Sequence, residues 1–381
     1  MTNDNDNLYQ NVQVTLTPLG NFFFGGQKRT EVENEKDYYV KSLFFPPQTT
    51  ILGLLRMELL IQNNLFPLNT SNREEAARFI GESSFDPKET DQKFGAIQEL
   101  SPVFIKDNED RIFHMLPNDY GHPYSPQPEG KSFFNHPEAT SKPFIPNFEN
   151  YKAKDPHPVK LGSKESPSIP IELNDIFIPD EQSGIKKGKD GQSEEQGYYK
   201  QVFLRLKKGF AFSFFLKLKT SIDDKTVRFE NNITFNGGER SAFRMEVRKC
   251  PDSTITVREL FDQTLPEWEG PKIVLTGDAF VEPNILNTCD FSVSDSVFFR
   301  NFRSYVKTTR NHWNLTAQKS EETPFLGDRY NLLSRGTVLY YGNDPETCLT
   351  HLTRLLDNPH FQKIGFNYYK TYPSQKEKGK E

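Results

Sequence analysis

The stretch FNGGERSAFR, residues 235–244, decides how the second half of the chain is read. A glycine pair, Gly237-Gly238, separates two apolar-aromatic runs and is followed at once by Glu239-Arg240, Ser241 and then Arg244. Alternation on either side predicts strands over 226–235 and 242–249 joined at this point. Two readings of the junction stand. One is a plain hairpin turn, since glycine pairs are common hairpin punctuation. The other is a glycine-rich loop whose bare backbone forms an anion nest, with Arg240 and Arg244 binding phosphate.

A second glycine pair lies near the start. NVQVTLTPLGNFFFGG (11–26) alternates Val12, Val14 and Leu16 with polar residues, which predicts a strand. It runs into Gly25-Gly26 and the cations Lys28 and Arg29. SLFFPPQTTILGLLRMELLIQ (42–62) follows, with Pro46-Pro47 as punctuation, Thr49 or Thr50 as cap and a buried helix over 51–61. Gln48, Thr49 and Thr50 stand where free helix amides favour an anion, although capping alone accounts for the threonines equally well. Gly53 inside this helix costs about 1 kcal/mol relative to Ala, which points to close packing or close approach there. A second helix is expected from Asn72.

The texture changes between residues 117 and 170, which hold 11 of the chain's 26 prolines. Proline breaks helices and removes ladder donors, so this segment reads as an irregular insertion. The polar, glycine-rich stretch 180–197 reads as a mobile surface loop. Beyond it the pattern predicts a helix over 255–264, a strand over 272–276, a helix near 294–310, a strand near 335–341, a last helix from Pro345 and a charged tail.

At 381 residues two domains are expected, at roughly 150 residues each. Phenylalanine is abundant, with 33 residues, so much of the core should be aromatic. The opening residues have no signal-peptide character, no apolar run suits a membrane span, and three scattered cysteines make no disulfide framework. A cytoplasmic protein is expected. The net charge of −5 argues against a protein that coats nucleic acid with its whole surface, but residues 199–249 carry twelve Lys or Arg against five Asp or Glu. A local basic track is therefore available. Within 297–313, Arg300, Arg303, Lys307 and Arg310 recur at helical spacing, which would give a cationic stripe suited to a phosphate backbone or simply a solvated helix face.

Catalytic signals are poor. There is no phosphate-binding P-loop, no metalloprotease motif and no acidic cluster with metal-ligand spacing. His312 is the one histidine worth testing as an acid–base group.

PLGNFFFGGQKRT, SLFFPPQTTILGLLRMELL and FNGGERSAFR, in this order and spacing, resemble the third-subunit family of the type III-B CRISPR (Cmr) effector complex, in the RAMP superfamily. The resemblance spans the chain apart from 117–198. It implies an α+β fold of two ferredoxin-like (RRM-like, βαββαβ) halves, at 1–116 and 199–372, around the insertion at 117–198, with 373–381 as tail. It further implies a non-catalytic subunit, without metal or cofactor and with no small-molecule substrate. Such a subunit holds the repeat-derived 5′ handle of the crRNA and docks on the large polymerase-like subunit and the backbone RAMP subunits. Carried onto this chain, the RNA-facing positions are Gly25, Gly26, Lys28 and Arg29; Gln48, Thr49, Thr50 and Arg56; and Gly237, Gly238, Glu239, Arg240, Ser241 and Arg244. Relatives often have Arg-Asp-Gly where this chain has Phe24-Gly25-Gly26, so a handle contact there passes to Lys28 or Arg29 or is lost. The helix carrying Arg300, Arg303, Lys307 and Arg310 rests on charge spacing alone. The alternative is a metal-independent RNA-processing endoribonuclease of the same superfamily, with His312 as base.

Overall fold

The computed structural model describes residues 8–25, 28–30, 38–120, 160–166, 169–187, 193–236, 239–268, 271–282, 284–302, 326–341 and 345–372. The chain opens with β1 (Tyr9–Pro18), β2 (Lys28–Thr30) and β3 (Tyr38–Lys41), then α1 (Gln48–Gln62) and α2 (Arg73–Ile80). Short strands β4 (Ile97–Leu100), β5 (Phe104–Asp107), β6 (Ile112–Met115), β7 (Lys160–Ser163) and β8 (Ile171–Glu172) lead to one helical turn, α3 (Leu173–Ile176). Long strands follow: β9 (Phe177–Lys187), β10 (Ser193–Leu206) and β11 (Phe210–Lys219), then the small pair β12 (Ser221–Ile222) and β13 (Lys225–Thr226). Next come β14 (Asn232–Asn236), β15 (Ser241–Lys249), α4 (Val257–Asp262), β16 (Lys272–Leu275), α5 (Ile285–Thr288) and β17 (Phe291–Val293). The chain finishes with β18 (Ser296–Phe302), β19 (Leu326–Leu333), β20 (Val338–Tyr340), α6 (Pro345–Leu356), α7 (Pro359–Gln362) and β21 (Tyr369–Tyr372).

The fold is α+β, and its sheets are mostly antiparallel. The largest runs β14-β15-β1-β11-β5-β6-β7-β8, with β4 also on β11. β1 lies between β15 and β11 and is antiparallel to both. Its inward residues Val12, Val14 and Leu16 meet Phe212, Phe214 and Leu216 of β11, Phe243 and Met245 of β15, and Ile51, Leu55 and Leu59 of α1 in one buried cluster. The loop after β1 adds an aromatic nest: Phe22 lies edge-on to Phe212 at 5.4 Å and Phe24 stacks on Phe243 at 6.1 Å. Aromatic contacts of this kind add about 0.5–1.5 kcal/mol each beyond the area they bury. The expected aromatic core is present.

A second sheet, β17-β20-β16-β21, is antiparallel throughout. In chain order it reads β16, α5, β17, β20, α6, β21, with the β18–β19 hairpin between β17 and β20. Polar clips join it to the first sheet. Arg335 donates to Val103 O at 2.9 Å and lies over the Phe45 ring, and Lys272 pairs with Asp119 at 2.7 Å.

Four expectations are corrected. The division at 199 is not where the sheets part: β11, β14 and β15 belong to the sheet of β1, because both edges of β1 find their partners there. The second sheet begins only at Lys272. Residues 180–197 are not a surface loop; β9 and β10 pair from Phe177↔Leu206 to Ile185↔Tyr198. The polar residues of this stretch resembled a loop, but Glu181, Gln182 and Ser183 are exposed along β9, and a strand solvated there needs no apolar stripe. Of the helix expected near 294–310, the described part is a strand instead: β18 (Ser296–Phe302) pairs with β19. Phe299 is 8% exposed and Phe298 40%, which is the two-residue alternation of a strand. Arg303, Lys307 and Arg310 lie outside the described residues. Finally, neither Thr49 nor Thr50 caps α1, whose N-cap position is Pro47. Gly53 is exposed, and among the described residues an added Cβ would meet nothing within 4 Å, so no packing among them requires it.

His114 sits between the rings of Phe104 and Phe261, 2.8 Å from Thr264 Oγ1. That hydroxyl already donates to Phe261 O, so the imidazole Nε2 is the donor and the ring is neutral. Burial, and then the charge of Arg335, push its pKa down to about 3 from an ordinary 6.5. Below pH 6.5 the unfolded chain therefore takes up a proton that the folded protein refuses. This contribution is complete above pH ~6.5 and is lost at about 1.4 kcal/mol per pH unit on the way down to pH ~3. Urea midpoints measured at pH 7 and pH 5 should show this loss, and His114→Gln should flatten the dependence by about one proton; equal slopes would contradict the assignment.

Candidate nucleic-acid interface

β14 and β15 pair in register from Asn232↔Met245 to Asn236↔Ser241, so the glycine-rich motif is the tip of a hairpin at the sheet edge. At that tip Arg240 adopts φ 52°, the left-handed region that a side chain other than glycine enters at a cost. Glu239, Arg240 and Arg244 are exposed, whereas Ser241 is buried. The Arg240 guanidinium lies 5.5 Å over the Phe235 ring.

The first motif is joined to the same place. Leu19 N donates to Ala242 O at 2.9 Å, and Phe23 N to Ser241 Oγ at 3.3 Å. Phe22 exchanges backbone hydrogen bonds with Leu204 of β10, and Asn21 donates to Asp180 of β9. Phe24 N donates to Ser42 Oγ at 3.0 Å, and Leu43 N to the carbonyl of Gly25, which stands at φ 76°. The loop 19–25 is thus stitched to the glycine-rich hairpin on one side and to the segment entering α1 on the other. Lys28 and Arg29 follow in β2, opposite Val40 and Tyr39 of β3. Two motifs far apart in the chain are thereby tied together. Gly26, Gly237 and Gly238 lie outside the described residues.

The third motif divides. Thr49 and Thr50 are part-exposed in the first turn of α1. Gln48 is corrected to an internal role: it is buried, and its Nε2 donates to Ser101 O and Ile364 O, both at 2.9 Å. Arg56 is part-exposed on α1. Its guanidinium donates to the carbonyls of Ile80 and Ser83 and lies over Phe94, and burial lowers its pKa to about 10. Arg300 lies on β18, opposite Arg329 and in a different sheet from the glycine-rich hairpin.

Two residues of the hairpin were missed. Ile233 and Phe235 are 58% and 54% exposed on β14, while Thr234 and Asn236 face inward. The alternation in NITFN marks a strand, but which of its faces is covered depends on where α1 packs. Among the described residues no group of three His, Cys, Asp or Glu could hold a metal ion, and no helix is long and apolar enough to cross a membrane.

The site thus lies on a mostly antiparallel α+β fold, at an edge hairpin tied to the loop after β1. Residues 14–371 match the family described as CRISPR-associated protein (Cas_Cmr3), and the chain belongs to that family. It is a subunit of the type III-B Cmr effector complex, as its three motifs led one to expect. Among solved structures it is similar to a chain of the type III-B Cmr-beta complex bound to cognate target RNA, at 13% identity and TM-score 0.48, covering 94% of this chain and 96% of that one. A chain of the same complex with target RNA and AMPPnP matches at 14% identity and TM-score 0.45, again over 94% and 96%. A chain of the apo Cmr-beta structure matches at 14% identity and TM-score 0.25, over 65% of this chain and 98% of that one. No curated protein matches.

Proposed function

We propose that this subunit is a non-catalytic holder of single-stranded RNA, taking the repeat-derived 5′ handle of the crRNA at the glycine-rich hairpin. In the same reading it docks on the large polymerase-like subunit and on the backbone RAMP subunits. One observation carries the RNA assignment. Arg240 keeps a left-handed backbone at an exposed tip, where glycine would be accommodated more cheaply, and its guanidinium lies over the exposed Phe235 ring, with Arg244 exposed further along β15. Strain retained at an exposed cation, next to a loop that admits close approach, fits a phosphate contact.

The reading includes two ferredoxin-like halves. What supports it is strand order. β17-β20-β16-β21, with helices linking β16 to β17 and β20 to β21, is a βαββαβ order, and β15-β1-β11-β5 repeats it around α1. The second crossover helix of that first unit is replaced by the β12–β14 region.

Arg240→Ala/Arg244→Ala should weaken binding of the handle RNA. Two phosphates would then keep their counterions on binding, so the slope of log K against log salt should become shallower by about 1.4. Arg240→Gly should weaken RNA binding too while leaving thermal stability unchanged or raised, because it relieves the left-handed backbone. Anisotropy titrations at several salt concentrations check both, and an unchanged slope in the double variant would remove the hairpin from RNA binding.

A further inference from the structure

The outer face of the β14–β15 hairpin holds a feature that phosphate binding does not account for. Phe235 and Ile233 are over half exposed, side by side on the edge strand, and neither faces the core. Across the ladder Phe235 stands opposite Ala242 and Ile233 opposite Arg244, which is itself paired with Thr17 of β1. The small Ala242 leaves the space over the ring open from the neighbouring strand. Arg240 lies over the same ring.

Charge indicates what covers this apolar spot. Residues 232–249 carry Arg240, Arg244, Arg248 and Lys249 against Glu239 and Glu246, so the ring lies within a net-positive frame. An added protein strand is the less favoured occupant. On the open edge of β14 the amide of Ile233 is already occupied by its neighbour's side chain, donating to Asn232 Oδ1 at 2.8 Å. A flat aromatic ring flanked by guanidinium groups suits an unpaired nucleobase, which every base can offer through its π-face.

We propose that Phe235 is the base-stacking platform of this surface: one splayed base lies on the ring beside the Arg240 guanidinium, and the adjoining phosphate lies on Arg244. This inference rests on the RNA-binding reading above and adds a base contact to it. Arg244 lies two residues along β15 from Ala242, which faces Phe235, roughly 7 Å at the strand rise, so the ring lies within reach of a backbone held at Arg244.

The test uses the full chain and single-stranded repeat RNA in which 2-aminopurine replaces successive bases. Wild type should quench the probe strongly at one position. Phe235→Ala should abolish that quench and weaken binding about ten-fold or more, the range expected for one stacked base, with an unchanged salt slope. Phe235→Tyr should restore both. Quenching and affinity unchanged in Phe235→Ala, while Arg240→Ala/Arg244→Ala still weakens binding, would overturn the platform and leave the RNA reading intact. The platform would equally fall if Phe235→Ala kept full RNA affinity but lost another subunit from the purified complex. Wild type that bound no RNA would remove both.

Discussion

Asp119→Ala is expected to destabilise the protein by about 3–5 kcal/mol, the cost of leaving one buried charge without its partner. Asp119 and Lys272 have side chains only 3% and 8% exposed, and their ion pair measures 2.7 Å. The hydroxyl of Tyr340 also donates to Asp119. Asp119 follows β6 in the first sheet, whereas Lys272 and Tyr340 lie on β16 and β20 of the second. Their contact therefore joins the two sheets. Removing the carboxylate leaves an ammonium group buried against a tyrosine ring. Replacing both partners, as Asp119→Leu with Lys272→Met, should recover most of the loss, since apolar pairs of similar volume are tolerated in place of buried ion pairs. Urea unfolding of the three proteins checks this. A single variant within about 0.5 kcal/mol of wild type, as for ordinary surface changes, would show that the pair is not buried as described.

Gly365→Ala should be nearly as damaging, at about 3–4 kcal/mol when a left-handed backbone penalty is added to two disturbed buried hydrogen bonds. Gly365 stands at φ 83°, and an added Cβ would lie 1.8 Å from Gln48 Nε2 and 2.8 Å from the backbone of Ser101. Gln48 would have to leave Ser101 O and Ile364 O, the two carbonyls it bridges. The first residue of α1 would thereby lose its hold on the second unit. The predicted effect is a lower thermal midpoint with unchanged RNA affinity at temperatures where the variant is folded. A loss of affinity without loss of stability would return Gln48 to the RNA-facing set.

Much of the local structure was legible in the sequence. The alternation of Val12, Val14 and Leu16 produced β1, and the proline pair before an apolar run produced α1. The glycine pair after Phe235 produced the hairpin. What could not be read was which strands meet. β1 pairs with β15 from the far side of the sequence, and no local pattern records such a pairing. Charge spacing misled over Ser296–Phe302, because cations at i, i+3 and i+7 satisfy a helical template even where the Phe298–Phe299 alternation belongs to a strand.

The candidate site was legible as motifs but not as roles. Gln48 and Arg56 fall in the stretch that best marks the family, yet Gln48 is buried between Ser101 and Ile364, and part of the Arg56 guanidinium bonds the carbonyls of Ile80 and Ser83. Arg240 and Arg244 remain exposed, at the tip of the hairpin and on the outward-facing positions of β15. Phe235 escaped notice because an aromatic residue in an alternating strand is read as core until the covering helix is placed.

The most direct measurement is to purify the effector complex through a tag on this chain, crosslink it with ultraviolet light, and sequence the RNA attached to this subunit. Short RNAs sharing one repeat-derived 5′ end, crosslinked within residues 232–249 and absent in Arg240→Ala/Arg244→Ala, are the predicted result. An intact complex whose RNA crosslinks only to other subunits would contradict the account and leave this chain a protein scaffold.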